Sequence, residues 1–150
     1  MMKLVFIEPD KSFKRYDILR RVINAAKDLS NEWENVILLF LIKREHHIEA
    51  YLCKQNSCNK IIYDEYTVNS LLDLLACRKP IIFDENGVFD IESICKADCI
   101  FMGLHSDPYG VIDDYLRNAR KVKLGDISYM TSQCVHILGF YKNYCEDKKR

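Results

Sequence analysis

KVKLGDISYMTSQC, residues 121–134, is the stretch whose reading decides the fold. Val122 to Leu124 reads as a short apolar strand. It stops at Gly125, and a helix follows over residues 129–144. Two readings of Leu124-Gly125-Asp126 are open. It is a plain turn, or it is main chain that must face a ligand closely, which a residue without a side chain permits. A strand, a glycine and a helix in that order make one βα unit, so the question becomes whether other such units precede it.

They do. Ile100-Phe101-Met102-Gly103 ends the same way, with a helix expected over 111–118. Further upstream, residues 2–7 (MKLVFI) read as a buried strand, and Ile18, Leu19, Val22, Ile23, Ala26 and Leu29 recur at helical spacing over 14–29. Residues 36–42 (VILLFLI) are apolar on both faces, as in a parallel strand covered by helices on each side. Residues 46–60 read as irregular, with a short strand at IEAYL. A helix is expected over 68–76 and a strand over 81–83. Asp84-Glu85-Asn86-Gly87 reads as a turn, because Asn-Gly favours positive φ. Alternating strands and helices give an α/β fold with a mainly parallel sheet. No repeat or linker divides residues 1–150, so one domain is expected. In such sheets ligands bind beyond the carboxyl ends of the strands, where both glycines lie.

Composition bounds the function. The 150 residues suffice for one core, and 49% are hydrophobic, which is globular rather than disordered. Lys plus Arg (22) balance Asp plus Glu (22), so no broad electrostatic grip on nucleic acid is advertised. Local basic clusters remain at Lys11, Lys14, Arg15, Arg20 and Arg21, and at Lys148 to Arg150. The longest apolar run has seven residues, against the roughly 20 that a membrane-spanning helix needs. No leader pattern opens the chain. A cytoplasmic protein with reduced thiols is the expectation for its seven cysteines. Cys53 and Cys58, with His46 and His47 upstream, offer a loose zinc set and hence a zinc-stabilised interaction module. No CxxC pair supports it, and no metal is expected.

Three stretches carry a resemblance to a known family. The first is Arg15-Tyr16-Asp17-Ile18-Leu19-Arg20-Arg21-Val22-Ile23-Asn24-Ala25-Ala26. The second joins Phe83-Asp84-Glu85-Asn86-Gly87 to Ile100-Phe101-Met102-Gly103-Leu104-His105. The third is Lys121-Val122-Lys123-Leu124-Gly125-Asp126-Ile127-Ser128-Tyr129 with Ser132-Gln133-Cys134-Val135. In this order they resemble archaeal tRNA pseudouridine N1-methyltransferases of the SPOUT superfamily, with its R-x-D helix, H-E-D-G turn, L-G-D-H strand end and L-G-P-x-S-Y loop. Tyr63-Asp64-Glu65 is a fainter match to the family's P-D-E.

The resemblance implies a SPOUT-like fold with a C-terminal deep trefoil knot, a homodimer, an S-adenosyl-L-methionine cofactor and an RNA substrate, tRNA first. It implies cofactor contacts from Met102, Gly103, Leu104, Leu124, Gly125, Asp126, Ile127, Tyr129 and Met130, with a side chain at 125 colliding with the cofactor. Asp17 would orient or deprotonate the ring of a pseudouridine or uridine, and Arg15 would hold a phosphate or carbonyl. Their plain alternative is a helix-start carboxylate favoured by the dipole and a solvated arginine. Gly139, Phe140, Tyr141 and Tyr144 would form the subunit contact, or pack in the core. Departures from the pattern keep open a catalytically silent relative that binds RNA or nucleotide. Leu104 stands where the family has aspartate, with Asp107 as a possible replacement. Asp126 stands for proline, and the first loop is cut to EPDKS.

Overall fold

The computed structural model describes residues 2–27, 36–54, 57–64, 68–125 and 129–149. The elements are β1 (Lys3–Glu8), α1 (Tyr16–Lys27), β2 (Ile37–Lys43), β3 (Ile48–Lys54), β4 (Ser57–Tyr63), α2 (Val68–Leu74), β5 (Pro80–Val88), α3 (Ile91–Lys96), β6 (Cys99–Gly103), α4 (Asp113–Leu116), β7 (Arg120–Val122) and α5 (Thr131–Lys149). Seven strands form one sheet in the order β4-β3-β2-β1-β6-β5-β7. The β2–β1–β6–β5–β7 part is parallel, and β3 and β4 add antiparallel at one edge.

The central strands are apolar at nearly every position because both faces are covered. Leu4, Phe6, Leu38, Phe40, Ile42, Ile100 and Met102 point to one side, where Ile18, Leu19 and Val22 of α1, Ile94 of α3 and Val135 and Leu138 of α5 meet them. Val5, Ile7, Leu39, Leu41 and Phe101 point to the other, against Val68 and Leu72 of α2 and Leu116 of α4. Phe6 and Phe40, opposed in the β1–β2 register, stack with centroids 4.9 Å apart. Each such fully buried side chain contributes about 1.5–3 kcal/mol of transfer free energy. A mainly parallel sheet with helices on both faces is what the sequence led us to expect.

Several local expectations need correction. The short strand expected at IEAYL is present as part of β3, but the rest is not irregular, since β4 pairs antiparallel with it and sets Cys53 opposite Cys58. Residues 84–87 are not a turn after a strand. They bulge within β5, since Phe83 and Val88 both register with Val122. The helix expected over 111–118 is one turn, Asp113–Leu116. The helix α3 went unread. Asp90 starts it, its Oδ1 accepting the Ser93 amide at 3.1 Å and its Oδ2 the Ser93 hydroxyl at 2.7 Å.

The thiols also differ from expectation. Cys53–Cys58, Cys77–Cys99 and Cys95–Cys145 are disulfides, with Cα separations of 4.1, 5.6 and 5.6 Å, and Cys134 is the free thiol. The fold brings these residues together across elements, which spacing could not reveal. The bridge between Cys53 and Cys58 consumes both thiols of the zinc set. Among the described residues, no group of three or more His, Cys, Asp and Glu is placed to hold a metal. No helix among them is long and apolar enough to cross a membrane.

Candidate active site

A cleft of about 840 Å³ opens beyond the carboxyl ends of β5, β6 and β7, beside the start of α1. Its walls come from five places. The end of β6 and the following loop supply Met102 to Tyr109. The β5 bulge supplies Phe83, Asp84, Glu85 and Asn86. The segment after β7 supplies Lys123, Leu124 and Gly125. The start of α5 supplies Tyr129 to Ser132 and Cys134, while Arg15, Ile18 and Arg21 reach in from α1 and the loop before it.

Seven residues singled out from the sequence for the cofactor line this cleft: Met102, Gly103, Leu104, Leu124, Gly125, Tyr129 and Met130. Asp126 and Ile127 lie outside the described residues. Met102, Leu104 and Leu124 are buried in the core, so the cleft meets mainly their backbone. The Leu104 amide already donates to the Ile7 carbonyl at 3.1 Å. The Thr131 hydroxyl lies 2.6 Å from the Gly103 carbonyl and 2.8 Å from that of Leu104, fastening this wall to α5. The Tyr141 hydroxyl donates to the Leu124 carbonyl at 3.3 Å, fastening the other wall to the same helix.

The two glycines serve different ends. A methyl group at Gly103 would overlap the Ser106 carbonyl, so the chain's own turn requires the glycine. Gly103 lines the cleft as well, so its backbone serves the turn and the wall together. At Gly125 a methyl would approach only the Tyr129 hydroxyl, at 2.8 Å, the far end of a movable side chain.

Arg15 lines the cleft and Asp17 does not. The Arg15 Nε and Nη2 donate to Asp17 Oδ1 and Oδ2 at 3.0 and 2.9 Å, and Arg21 approaches Oδ2 at 3.6 Å. The Arg15 hydrogen bonds, more than its charge, hold the Asp17 carboxyl below the usual carboxylate range. A carboxylate so occupied is a weak base and a firm support for its arginine. The segment before α1 is held by Arg44, whose Nη1 donates to the Lys11 and Phe13 carbonyls at 2.9 and 2.7 Å and whose Nη2 donates to the Tyr16 hydroxyl at 2.9 Å. Glu49 pairs with the Arg44 Nε at 3.4 Å. Burial alone would raise the Glu49 carboxyl, but Arg44 and Lys60 outweigh it and keep it charged.

Sequence reasoning missed the opposite rim. Tyr109 donates a short hydrogen bond to Asp84 Oδ2, and the Asn86 amide donates to Asp84 Oδ1 at 2.8 Å. The Lys121 ammonium sits 5.5 Å from the Tyr109 ring centre. Burial opposes the Asp84 charge, yet Tyr109 and the Asn86 amide hold its carboxyl below the usual range. The Asp84 to Gly87 motif was visible in the sequence, but nothing there pointed to Tyr109. Cys134 also lines the cleft, and burial pushes its thiol up to about 11.

The fold and cleft together define a class: a mainly parallel α/β sheet covered by helices on both faces, with a cleft at the carboxyl edge of the sheet. The fold is similar to that in a crystal structure of Archaeoglobus fulgidus Nep1 bound to S-adenosylhomocysteine. The TM-score is 0.60 at 12% sequence identity, and the match covers 97% of this chain and 99% of that one. No protein-family model matches the sequence, and no curated protein matches it.

Proposed function

We propose that this chain is an S-adenosyl-L-methionine-dependent RNA methyltransferase acting on a uridine or pseudouridine, with N1 of a tRNA pseudouridine as the first candidate. The observation that carries the reading is the cleft itself, formed where a fold shared with S-adenosylhomocysteine-bound Nep1 brings seven of the expected contact residues together.

The residues present fit the cofactor. The volume lies within the range of small-molecule sites, about 300–1,000 Å³. Phe83 and Tyr129 offer apolar edges for a planar base, while Asp84, Glu85 and Asp107 offer carboxylates to cationic groups. Bound there, the cofactor supplies an electrophilic methyl on a positively charged sulfur. Arg15, paired with Asp17, would bind a phosphate or a uracil carbonyl, and on a carbonyl it would favour the charge that develops as the ring nitrogen loses its proton. Asp17 acts through Arg15 rather than as the base. The exposed cations Lys11, Lys14, Arg15, Arg20 and Arg21 make a local basic rim for the RNA backbone in a chain of zero net charge.

The deep knot belongs to this reading, supported by the way α5 fastens both βα loops through Thr131 and Tyr141. So does a homodimer, supported by the exposed Phe140 and Tyr144 of α5 and by the exposed Phe89, which meets Tyr141 of the same helix. A cytoplasmic setting goes with the substrate, and it requires a cytoplasm in which the three bridges persist. A second reading, a catalytically silent RNA-binding relative, is favoured by the occupied Asp17 and by Leu104, buried where the family has a loop carboxylate.

Calorimetric titration with S-adenosylmethionine and S-adenosylhomocysteine, followed by transfer of labelled methyl to bulk tRNA, tests the proposal. Binding with transfer supports it. Binding of RNA with neither cofactor form bound would leave the second reading.

A further inference from the structure

Among the described residues, the buried polar or charged side chains are Glu8 and Glu49. Glu8 ends β1 and has 0% of its surface exposed. A carboxylate in that position needs donors to offset lost hydration. Its Oε1 accepts the amides of His105 and Ser106 at 2.8 and 3.1 Å, and its Oε2 accepts the amide of Asp10 at 3.0 Å. All three donors are main chain, and they come from two loops. One leaves β6 and forms a wall of the cleft. The other leaves β1 and leads to Arg15.

We propose that Glu8 is a positioning residue that fixes the cofactor wall and the Arg15 arm relative to each other. The inference rests on the methyltransferase reading of the cleft. One rigid carboxylate receiving donors from both loops makes the position of either depend on the other. It also explains how so short a β1–α1 loop keeps one shape. Glu8 holds its start, and Arg44 with Glu49 holds its end. Only a carboxylate serves at position 8. Glutamine has the same shape, but its amino group would face an N–H donor whichever way it is turned.

The test is residue-resolved hydrogen exchange with calorimetry of S-adenosylhomocysteine on the whole chain and two variants. In the wild type the amides of Asp10, His105 and Ser106 should be protected although they lie in loops. Glu8→Gln should expose the amides of at least one of the two loops, Asp10 or His105 with Ser106, and weaken S-adenosylhomocysteine about tenfold or more, the loss expected for charge-assisted hydrogen bonds. Core amides of β1 and β2 should stay protected. Glu49→Gln should loosen only the Phe13 to Tyr16 end and leave the amides of His105 and Ser106 protected, because Glu8 still holds them.

Free exchange of the three amides in the wild type overturns the proposal, and this measurement stands even if Glu8→Gln does not fold. Unchanged ligand affinity and protected loops in a folded Glu8→Gln overturn it as well. A wild type that binds no S-adenosylhomocysteine removes the methyltransferase reading and with it the functional role of Glu8. The exchange pattern would still decide whether Glu8 ties the two loops.

Discussion

At the scale of single residues, Gly103 and Gly125 look alike in the sequence and differ in what they avoid. Gly103 avoids a backbone carbonyl that has nowhere to go, so Gly103→Ala should destabilise the fold by about 1–3 kcal/mol. Urea denaturation without ligand should read that loss directly. Gly125 avoids the tip of Tyr129, which can swing aside. Gly125→Val should therefore keep its denaturation midpoint near that of the wild type and weaken S-adenosylhomocysteine more than tenfold, because the displaced ring enters the cleft. Calorimetry that finds equal affinity would remove position 125 from the site. The positions of these glycines were legible in the sequence. Their reasons were not, because Ser106 and Tyr129 approach them only in the folded chain.

At the scale of elements, β1, β2 and β6 were legible because strands buried on both faces are apolar throughout. The β3–β4 hairpin was hidden because β4 lies at the sheet edge, with Ser57, Cys58, Asn59 and Lys60 exposed. The cleft was half legible for a related reason. Its glycine-ended strands carry a local pattern, whereas Tyr109, Thr131 and Glu8 act through partners distant in sequence. Element junctions also set the acid response. Asp98 accepts the Arg78 and Lys79 amides at 2.7 and 2.8 Å, fixing the entry to β5 against the start of β6. Burial would raise its carboxyl, but those amides hold it below the ordinary value. A depressed folded value means the contribution is complete above the unfolded value, about pH 4, and is lost as pH falls through the folded one. Asp98→Asn should therefore be less stable than wild type at pH 7 and lose less stability on acidification below about pH 4. Thermal melts at stepped pH would show it. Parallel pH curves for the two proteins would contradict the assignment.

At the scale of the molecule, the balanced charge hides an uneven distribution, with cations gathered along α1 beside the cleft. The apolar exposure is uneven too. Phe140 is 70% exposed on α5, with its ring against that of Tyr141, which in turn meets Phe89. If that face joins two copies, Phe140→Glu should convert a dimer into a folded monomer in sedimentation experiments. A wild-type monomer at micromolar concentration would exclude the dimer. The bridges make a separate statement about the whole chain. Thiol titration of denatured, unreduced protein should find one thiol, Cys134, and a count of seven would show that the bridges do not form in solution.

Of the strands of this sheet, β1 is among the last to be completed. β1 lies in mid-sheet, and its Leu4 to Ile7 edge waits for Ile100 to Gly103. During synthesis, nearly a hundred residues must leave the ribosome before that row of amides and carbonyls finds its partner. Any product truncated before β6 would present an open apolar ladder to other chains, which makes premature termination here a source of aggregates rather than of a smaller working protein.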